Sequence, residues 1–367
     1  KAKIVEIIGK PNLIKNINKY LAEKNGLSFF FAEKLENEAQ NLEKIKINNS
    51  DRLEITHLNF ITIDPSDAKD HDDAIWASKD TDANNIGGWE IIVAIADVSY
   101  FVKENSLIDL EAMKRCFSIY FPNYVAPMLP LKLSNKLCSL NIKNKKPVIA
   151  VKIKIDKYGN KISYKFFRAL IQISMNLNYE EFENAFNSQI LPKKFDKIKT
   201  LINDIIGSYK SLKISREKRV PLEIISPENK IITNEKEVID IQQEKVLESN
   251  RLVEEFMVTA NSCAAEFLIE NSANSIFRVH DKPTLSKLYE LSLALKEFSI
   301  NFDYENVVTT SMLNRLLKNN NEEKYSKILN LAILRCQSQA QYSSKNIGHF
   351  GLSLDKYTHF TSPIRRY

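Results

Sequence analysis

The stretch Ile61-Thr62-Ile63-Asp64-Pro65-Ser66-Asp67-Ala68-Lys69-Asp70-His71-Asp72-Asp73 constrains this chain more than any other. Five aspartates fall within ten residues, directly after a short apolar run that starts at Phe60. Carboxylates held together repel: at about 4 Å and an effective dielectric near 20, each ionised pair costs roughly 4 kcal/mol. A fold that gathers them must protonate some or supply cations. Oxygen ligands at this density suit hard ions, so Mg²⁺ is the expected partner, with Mn²⁺ as a substitute. A solvated acidic turn and a calcium loop compete with that reading. An EF-hand starting at Asp70 would need Gly at its sixth position and Glu at its twelfth; the chain has Ile75 and Thr81 there, which excludes it. His71, alone among aspartates, reads as an exposed side chain rather than a ligand.

Two divalent ions about 3.5–4 Å apart can clamp a phosphodiester, activating a water on one side and stabilising the departing oxygen on the other. Such a centre needs carboxylates and no histidine base, in keeping with only five histidines in 367 residues. The final segment, Tyr357-Thr358-His359-Phe360-Thr361-Ser362-Pro363-Ile364-Arg365-Arg366-Tyr367, sets two arginines beside hydroxyls and aromatics. Guanidinium groups grip phosphate bidentately and aromatics stack on bases; surface ion pairs for Arg365 and Arg366 are an equal alternative. A net charge of +6 permits a polyanionic partner without requiring one.

Eight glycines and the absence of GxxxxGK[ST] and GxSxG exclude a P-loop and a hydrolase elbow. The cysteines Cys116, Cys138, Cys263 and Cys336 are far apart, with no metal-ligand spacing, and are expected to be buried, reduced thiols of a cytoplasmic protein. No apolar run approaches the roughly 20 residues of a membrane helix.

Along the chain, Lys1–Gly9 reads as the end of a strand, and Asn12–Lys24 and Ala32–Lys44 as helices separated near Gly26. Ile45–Glu54 reads as a polar linker. Phe60–Ile63 and the near-continuous apolar run Glu90–Val98 read as strands. Val151, Ile153 and Ile155 alternate with Lys152 and Lys154, a strand with one wet face. Tyr158-Gly159-Asn160 turns the chain and Lys161–Ile173 returns. Helices follow. Val246–Glu270 carries an apolar stripe of Val246, Val253, Met257, Ala260, Ala264 and Phe267, and Leu285–Phe298 and Tyr325–Ala340 also fit helices. Strands first and helices afterwards predicts an α+β fold.

Six motifs together resemble the RNB catalytic domain of the ribonuclease II and ribonuclease R family. They are the acidic loop, the strand Val93–Ser99, Tyr120-Phe121-Pro122 with Pro127-Met128-Leu129-Pro130, and Leu133-Ser134-Asn135 with Leu137-Cys138-Ser139-Leu140. Arg278-Val279-His280-Asp281-Lys282-Pro283 and the ending His359–Tyr367 complete the set. His280–Pro283 and Gly348-His349-Phe350-Gly351 are more similar to the ribonuclease R branch. The resemblance implies a mixed or antiparallel sheet with surrounding helices over residues 53–367, stopping short of the domain's C-terminal end. Upstream of it lie a helical linker at 11–52 and the tail of a cold-shock domain at 1–10.

The resemblance also implies a processive 3′→5′ exoribonuclease, monomeric and cytoplasmic, acting on 3′ ends of single-stranded RNA and releasing nucleoside 5′-monophosphates. It puts Asp64, Asp70, Asp72 and Asp73 at the metals, with no role carried onto Asp67. Tyr120 falls where a tyrosine orients the terminal nucleotide, and Tyr179 where one favours RNA over DNA. Glu254 or Glu255 clamps that nucleotide. Arg365, with Arg366 as the second candidate, matches the arginine that meets the scissile phosphate. Leu222–Ile225 departs from the family, which often has a base-stacking phenylalanine there. A chain ending at Tyr367 is expected to bind RNA poorly. A catalytically dead RNA-binding scaffold and an enzyme acting on small phosphate esters are the competing readings.

Overall fold

The computed structural model describes residues 7, 9–10, 13–48, 50–122, 124–142, 144–188, 193–224, 229–234, 237–319 and 323–367. The strand end expected at Lys1–Gly9, and with it the cold-shock remnant, lies almost wholly outside these residues. The helices expected next are α1 (Ile14–Lys24) and α2 (Glu33–Leu42). They are followed by β1 (Leu53–Glu54), β2 (Phe60–Asp64), β3 (Asp73–Lys79) and β4 (Trp89–Ala96). Two short helices, α3 (Val98–Phe101) and α4 (Leu107–Arg115), lead to a hairpin of β5 (Ile119–Phe121) and β6 (Tyr124–Ala126). Then come β7 (Lys146–Ile155), β8 (Lys161–Ile171) and β9 (Ile173–Asn178).

Seven strands form one sheet in the order β1-β8-β7-β4-β3-β2-β9. The outermost pairs, β1 with β8 and β2 with β9, are parallel and the inner ones antiparallel. With the helices packed on it, this is the mixed-sheet α+β fold that the order of elements implies.

Both faces of the sheet are covered, and β4 shows why its sequence is apolar throughout. Ile91, Val93 and Ile95 enter one core with Ile61, Ile75, Val151 and Ile153, while Ile92, Ala94 and Ala96 enter the other with Phe60, Ala74, Val148 and Ala150. The helices α5 (Tyr179–Asn187), α6 (Lys199–Arg219) and α7 (Glu248–Glu270) close the first core through Phe182, Ile202, Ile205, Leu252 and Phe256. A smaller core gathers α8 (Leu285–Lys296), α9 (Thr310–Asn319) and α10 (Glu323–Cys336) around Leu288, Leu291, Leu313 and Ile333. Leu222 and Ile224 pack against it, which accounts for aliphatic residues where the family often has a stacking ring; Ile225 is outside the described residues. Among the described residues no helix is long and apolar enough to cross a membrane.

Several sequence expectations change in detail. On α7 the buried face is set by Leu252, Phe256, Ala260 and Cys263, which meet the sheet; Val246 precedes the helix and is exposed, as is Phe267. The polar linker ends in the sheet, since Leu53 and Glu54 pair with Ala169 and Leu170. The upstream helices are not loose either: Leu35 and Ala39 enter the second core, and Arg115 donates to the Ser28, Phe30 and Pro127 carbonyls with its guanidinium over Phe31. Cys116 is exposed, because α4 ends there at φ +64, while the other three cysteines are buried; all four are free thiols.

The β7–β8 turn is fixed by Asp156, whose Oδ1 accepts from the Tyr158 and Asn160 N–H groups. Gly159 adopts φ +78, and a Cβ there would sit 2.1 Å from the Ser211 carbonyl oxygen of α6. Neither conflict is relieved by moving a side chain. Gly159→Ala is therefore expected to destabilise the fold by about 2 kcal/mol or more, read from urea denaturation; an unchanged midpoint contradicts this close packing of turn and helix.

Candidate active site

The acidic loop lies at the end of the sheet where β2 stops and β3 begins. Asp64 closes β2 and Asp73 opens β3, so the sheet itself fixes both. The loop between them is tied down from below. His71 donates its backbone N–H to Ser139 Oγ, Ser139 donates to the Lys69 carbonyl, and the Leu140 N–H reaches the His71 carbonyl. Asp64 pairs across to Asn178 in β9, and Asn178 caps α5 reciprocally with Glu181. That cap places Tyr179, the first helical residue, beside the centre.

The chain terminus completes the arrangement. Ile364 N–H donates to Asp72 Oδ1 at 2.8 Å, Ser362 N–H donates to Asp73 Oδ1 at 3.4 Å, and Arg365 Nε lies 3.4 Å from Asp72 Oδ2. Arg365 also donates to Ser362 Oγ, and its carbonyl accepts from Ser118 N–H, just before the hairpin that carries Tyr120. Tyr120 donates to Asp70 Oδ2 at 3.0 Å. All six residues expected to be catalytic, Asp64, Asp70, Asp72, Asp73, Tyr120 and Arg365, thus come to one end of the sheet.

Their electrostatics follow from burial. Asp72 is 2% exposed, and burial together with the charge of Asp73 pushes its carboxyl well above the ordinary range, against the Ile364 N–H and Arg365. Burial raises Asp73 to about 6, with Arg365 opposing and Asp64 adding to the rise. Burial disfavours charge on Arg365, but Asp72 and Asp73 outweigh it and hold the guanidinium more firmly protonated. Tyr120 is pushed up by burial and Asp70, and Tyr179 up to about 12 by burial and Asp64. Arg365 beside Asp72 and Asp73, with Arg366 acting more weakly on Asp73, leaves a shortage of positive charge.

The remaining expected residues divide. Glu255 is 3% exposed and lies under two arginines, 3.0 Å from Arg216 Nε and 3.3 Å from Arg219 Nη2. Its carboxylate is therefore engaged by both guanidiniums, and only Glu255 of that ion cluster is fully buried. Glu254, its neighbour, is exposed. Arg366 is half-buried and forms an isolated bridge with Phe117. His71 is not the exposed residue expected: its Nδ1 lies 2.7 Å from Asp64 Oδ2 and orients that carboxylate.

Sequence reasoning missed Asn261. It is buried on α7, accepts at Oδ1 from the Phe360 and Thr361 N–H groups, and donates through Nδ2 to Tyr357 OH and Thr361 Oγ1. Every polar atom of its amide is used to seat the terminal segment. A polar residue beside Ala260 within an apolar stripe was the signal.

The donor set fits a hard divalent ion. It is all carboxylate oxygen, and Asp72 Oδ2 is buried with no hydrogen bond of its own. As they stand, the carboxylates are turned towards protein partners: Asp64 to His71, Asp70 to Tyr120, and Asp72 to Arg365. Among the described residues, no three acidic, histidine or cysteine side chains are grouped closely enough to hold a metal ion.

A mixed sheet carrying a carboxylate centre at one end, completed by an arginine-bearing segment, defines a class, and the comparisons name it. The RNB domain family matches residues 52–367, and the chain belongs to that family. Ribonuclease R of Escherichia coli (strain K12) is 35% identical over 318 residues, 86% of this chain and 39% of that protein. The structure of Mycoplasma genitalium RNase R in complex with ribose methylated single-stranded RNA superposes with a TM-score of 0.89 at 30% identity, covering 99% of this chain and 56% of that one. Yeast Ssd1, a pseudonuclease, shares the fold alone, with a TM-score of 0.67 at 18% identity over 93% of this chain and 40% of that one. The chain spans half or less of the length of such curated relatives.

Asp73 holds its proton more tightly folded than unfolded, so its contribution favours folding below about pH 4 and is lost as pH rises through about 6. In EDTA, Asp73→Asn is therefore expected to exceed the wild type in stability at pH 8 by about 2–3 kcal/mol, a gap that closes below about pH 4. Denaturation across that pH range reads the gap, and a variant less stable at pH 8 contradicts the electrostatics described.

Proposed function

We propose that this chain carries the catalytic centre of a divalent-metal-dependent exoribonuclease that degrades single-stranded RNA from its 3′ end to nucleoside 5′-monophosphates. The observation that supports it most is the meeting of four aspartates, two of them short of positive charge, with an arginine from the terminal segment. Asp64, Asp70, Asp72 and Asp73 would hold Mg²⁺, with Mn²⁺ as a substitute. What such ions supply when bound is Lewis acidity towards the phosphodiester and a water acidified for attack.

The chain's own side chains bind and orient. Arg365 is already charged and 43% exposed beside the carboxylates, so it can turn its guanidinium to a phosphate oxygen where charge develops. The Tyr120 hydroxyl, kept protonated next to Asp70, donates a hydrogen bond at the position given to the terminal nucleotide. Tyr179 keeps its proton beside Asp64 and offers a contact that can sense a ribose 2′-hydroxyl. Glu254 and Arg366 are the further RNA contacts, and residues 53–367 are the catalytic unit, with 11–52 as a helical connection and 1–10 as the tail of a cold-shock domain.

The test is a time course on 3′-labelled single-stranded RNA with the intact protein and Mg²⁺. Stepwise release of labelled nucleoside 5′-monophosphate is expected, abolished by EDTA and reduced more than about 10²-fold in Asp70→Asn. RNA bound but left intact by the wild type would favour an inert scaffold. Turnover of small phosphate esters without any on RNA would favour a different metal enzyme.

A further inference from the structure

A short ribbon beside the centre has one dry face and one wet face. Its strands, β10 (Phe277–Val279) and β11 (Gln341–Ser343), pair antiparallel with Arg278 directly opposite Tyr342. Side chains alternate along a strand, so Phe277 and Val279 turn the other way and are buried together with Ala265. Arg278 and Tyr342 share the wet face, the guanidinium lying over the ring at 4.9 Å from its centroid. Tyr342 is nevertheless 53% exposed.

The ring is also fixed at its far end. Tyr342 OH and His359 Nδ1 share a hydrogen bond of 2.7 Å, with the two rings 5.5 Å apart and edge to face. His359 in turn stands 5.7 Å from Tyr357. The ribbon is sewn to this segment by Arg278 N–H to the Tyr357 carbonyl and by Thr358 Oγ1 to the Ile276 carbonyl. An aromatic ring held at both ends and still open to solvent loses little further entropy on stacking with a ligand.

The strip runs into the catalytic centre. From His359 the chain needs three residues, at most about 11 Å, to reach Ser362, whose N–H sits on Asp73. Arg366 acts electrostatically on both Asp73 and His359, and Tyr357 feels Arg366, Glu254 and Arg278. Burial first, then Arg366 and Arg278, lower His359 to about 3, so its ring is neutral at physiological pH. The fixed positive charge on the strip is therefore that of Arg278 and Arg366, complementary to a phosphodiester backbone, with Glu254 as the acidic group acting on Tyr357.

We propose that Tyr342, braced by Arg278 and His359, is a stacking station for a nucleobase of single-stranded RNA lying upstream of the bond held at the aspartate centre. It rests on the exoribonuclease reading and adds a contact outside the acidic loop. Stacking tolerates any base, because every base has a π face, and Arg278 adds attraction for the neighbouring phosphate.

The experiment compares wild type, Tyr342→Ala, Tyr342→Leu and Tyr342→Phe in the intact protein. Binding of a 5′-labelled oligouridylate of about 12 nucleotides is measured by anisotropy in EDTA, and degradation of that RNA and of a trinucleotide in Mg²⁺. Loss of the π face in the Ala and Leu variants is expected to weaken oligouridylate binding at least about fivefold. The matching signature is a raised KM on that RNA with an unchanged kcat, and a smaller rise on the trinucleotide, which offers fewer bases to stack. Tyr342→Phe keeps the ring and is expected to stay within about twofold of wild type. Ala and Leu variants that fold and bind the oligouridylate as wild type does overturn the station, as does an equal loss on both RNAs, which marks a general structural role. A wild type that neither binds nor degrades RNA fails the exoribonuclease reading instead.

Discussion

Two adjacent carboxylates, Asp72 fully buried and Asp73 partly so, and the chain segment that covers them hold this structure's chemistry together. They could not be packed side by side as bare anions. The backbone N–H groups of Ile364 and Ser362 and the guanidinium of Arg365 make the arrangement tolerable. The same contacts fix where the terminal segment runs, and Asn261 on α7 fixes it a second time with both ends of its amide. Removing the segment would leave buried charge without a partner, so fold and site are one construction here.

The sheet makes that construction precise. Asp64 is held by its pairing to Asn178, and Asp73 by its pairing to Ile95 in β4, a strand buried on both faces. Functional carboxylates at the ends of rigid strands lose little freedom when a ligand arrives. The loop between them is shaped instead by Ser139 and Leu140, far away in sequence. Strand pairing and these loop hydrogen bonds together hold the aspartates against Tyr120, His71 and Arg365.

Much of this was legible in the sequence, for identifiable reasons. Period-two alternation at Val151–Ile155 and the unbroken apolar run of β4 are local signatures, and both became strands with the expected burial. The acidic loop and the terminal arginines were visible because their composition is unusual. What stayed hidden depends on contacts across the chain. Whether Glu254 or Glu255 faces solvent is decided by Arg216 and Arg219, some 36 residues away. That His71 orients Asp64 requires the loop to fold back over seven residues. The stripe expected on α7 holds at Val253, Met257, Ala260 and Ala264 and fails at its ends, Val246 and Phe267, because helical spacing alone does not say which side the sheet occupies.

The central claim is that the aspartates at the sheet end are a divalent-ion site. The most direct measurement is an X-ray structure of crystals equilibrated with Mn²⁺, with anomalous scattering recorded. The account predicts anomalous density within about 2.0–2.3 Å of carboxylate oxygens from Asp64, Asp70, Asp72 and Asp73, with Arg365 drawn off Asp72. Saturating Mn²⁺ that leaves no anomalous density there, with Arg365 still on Asp72, would contradict it.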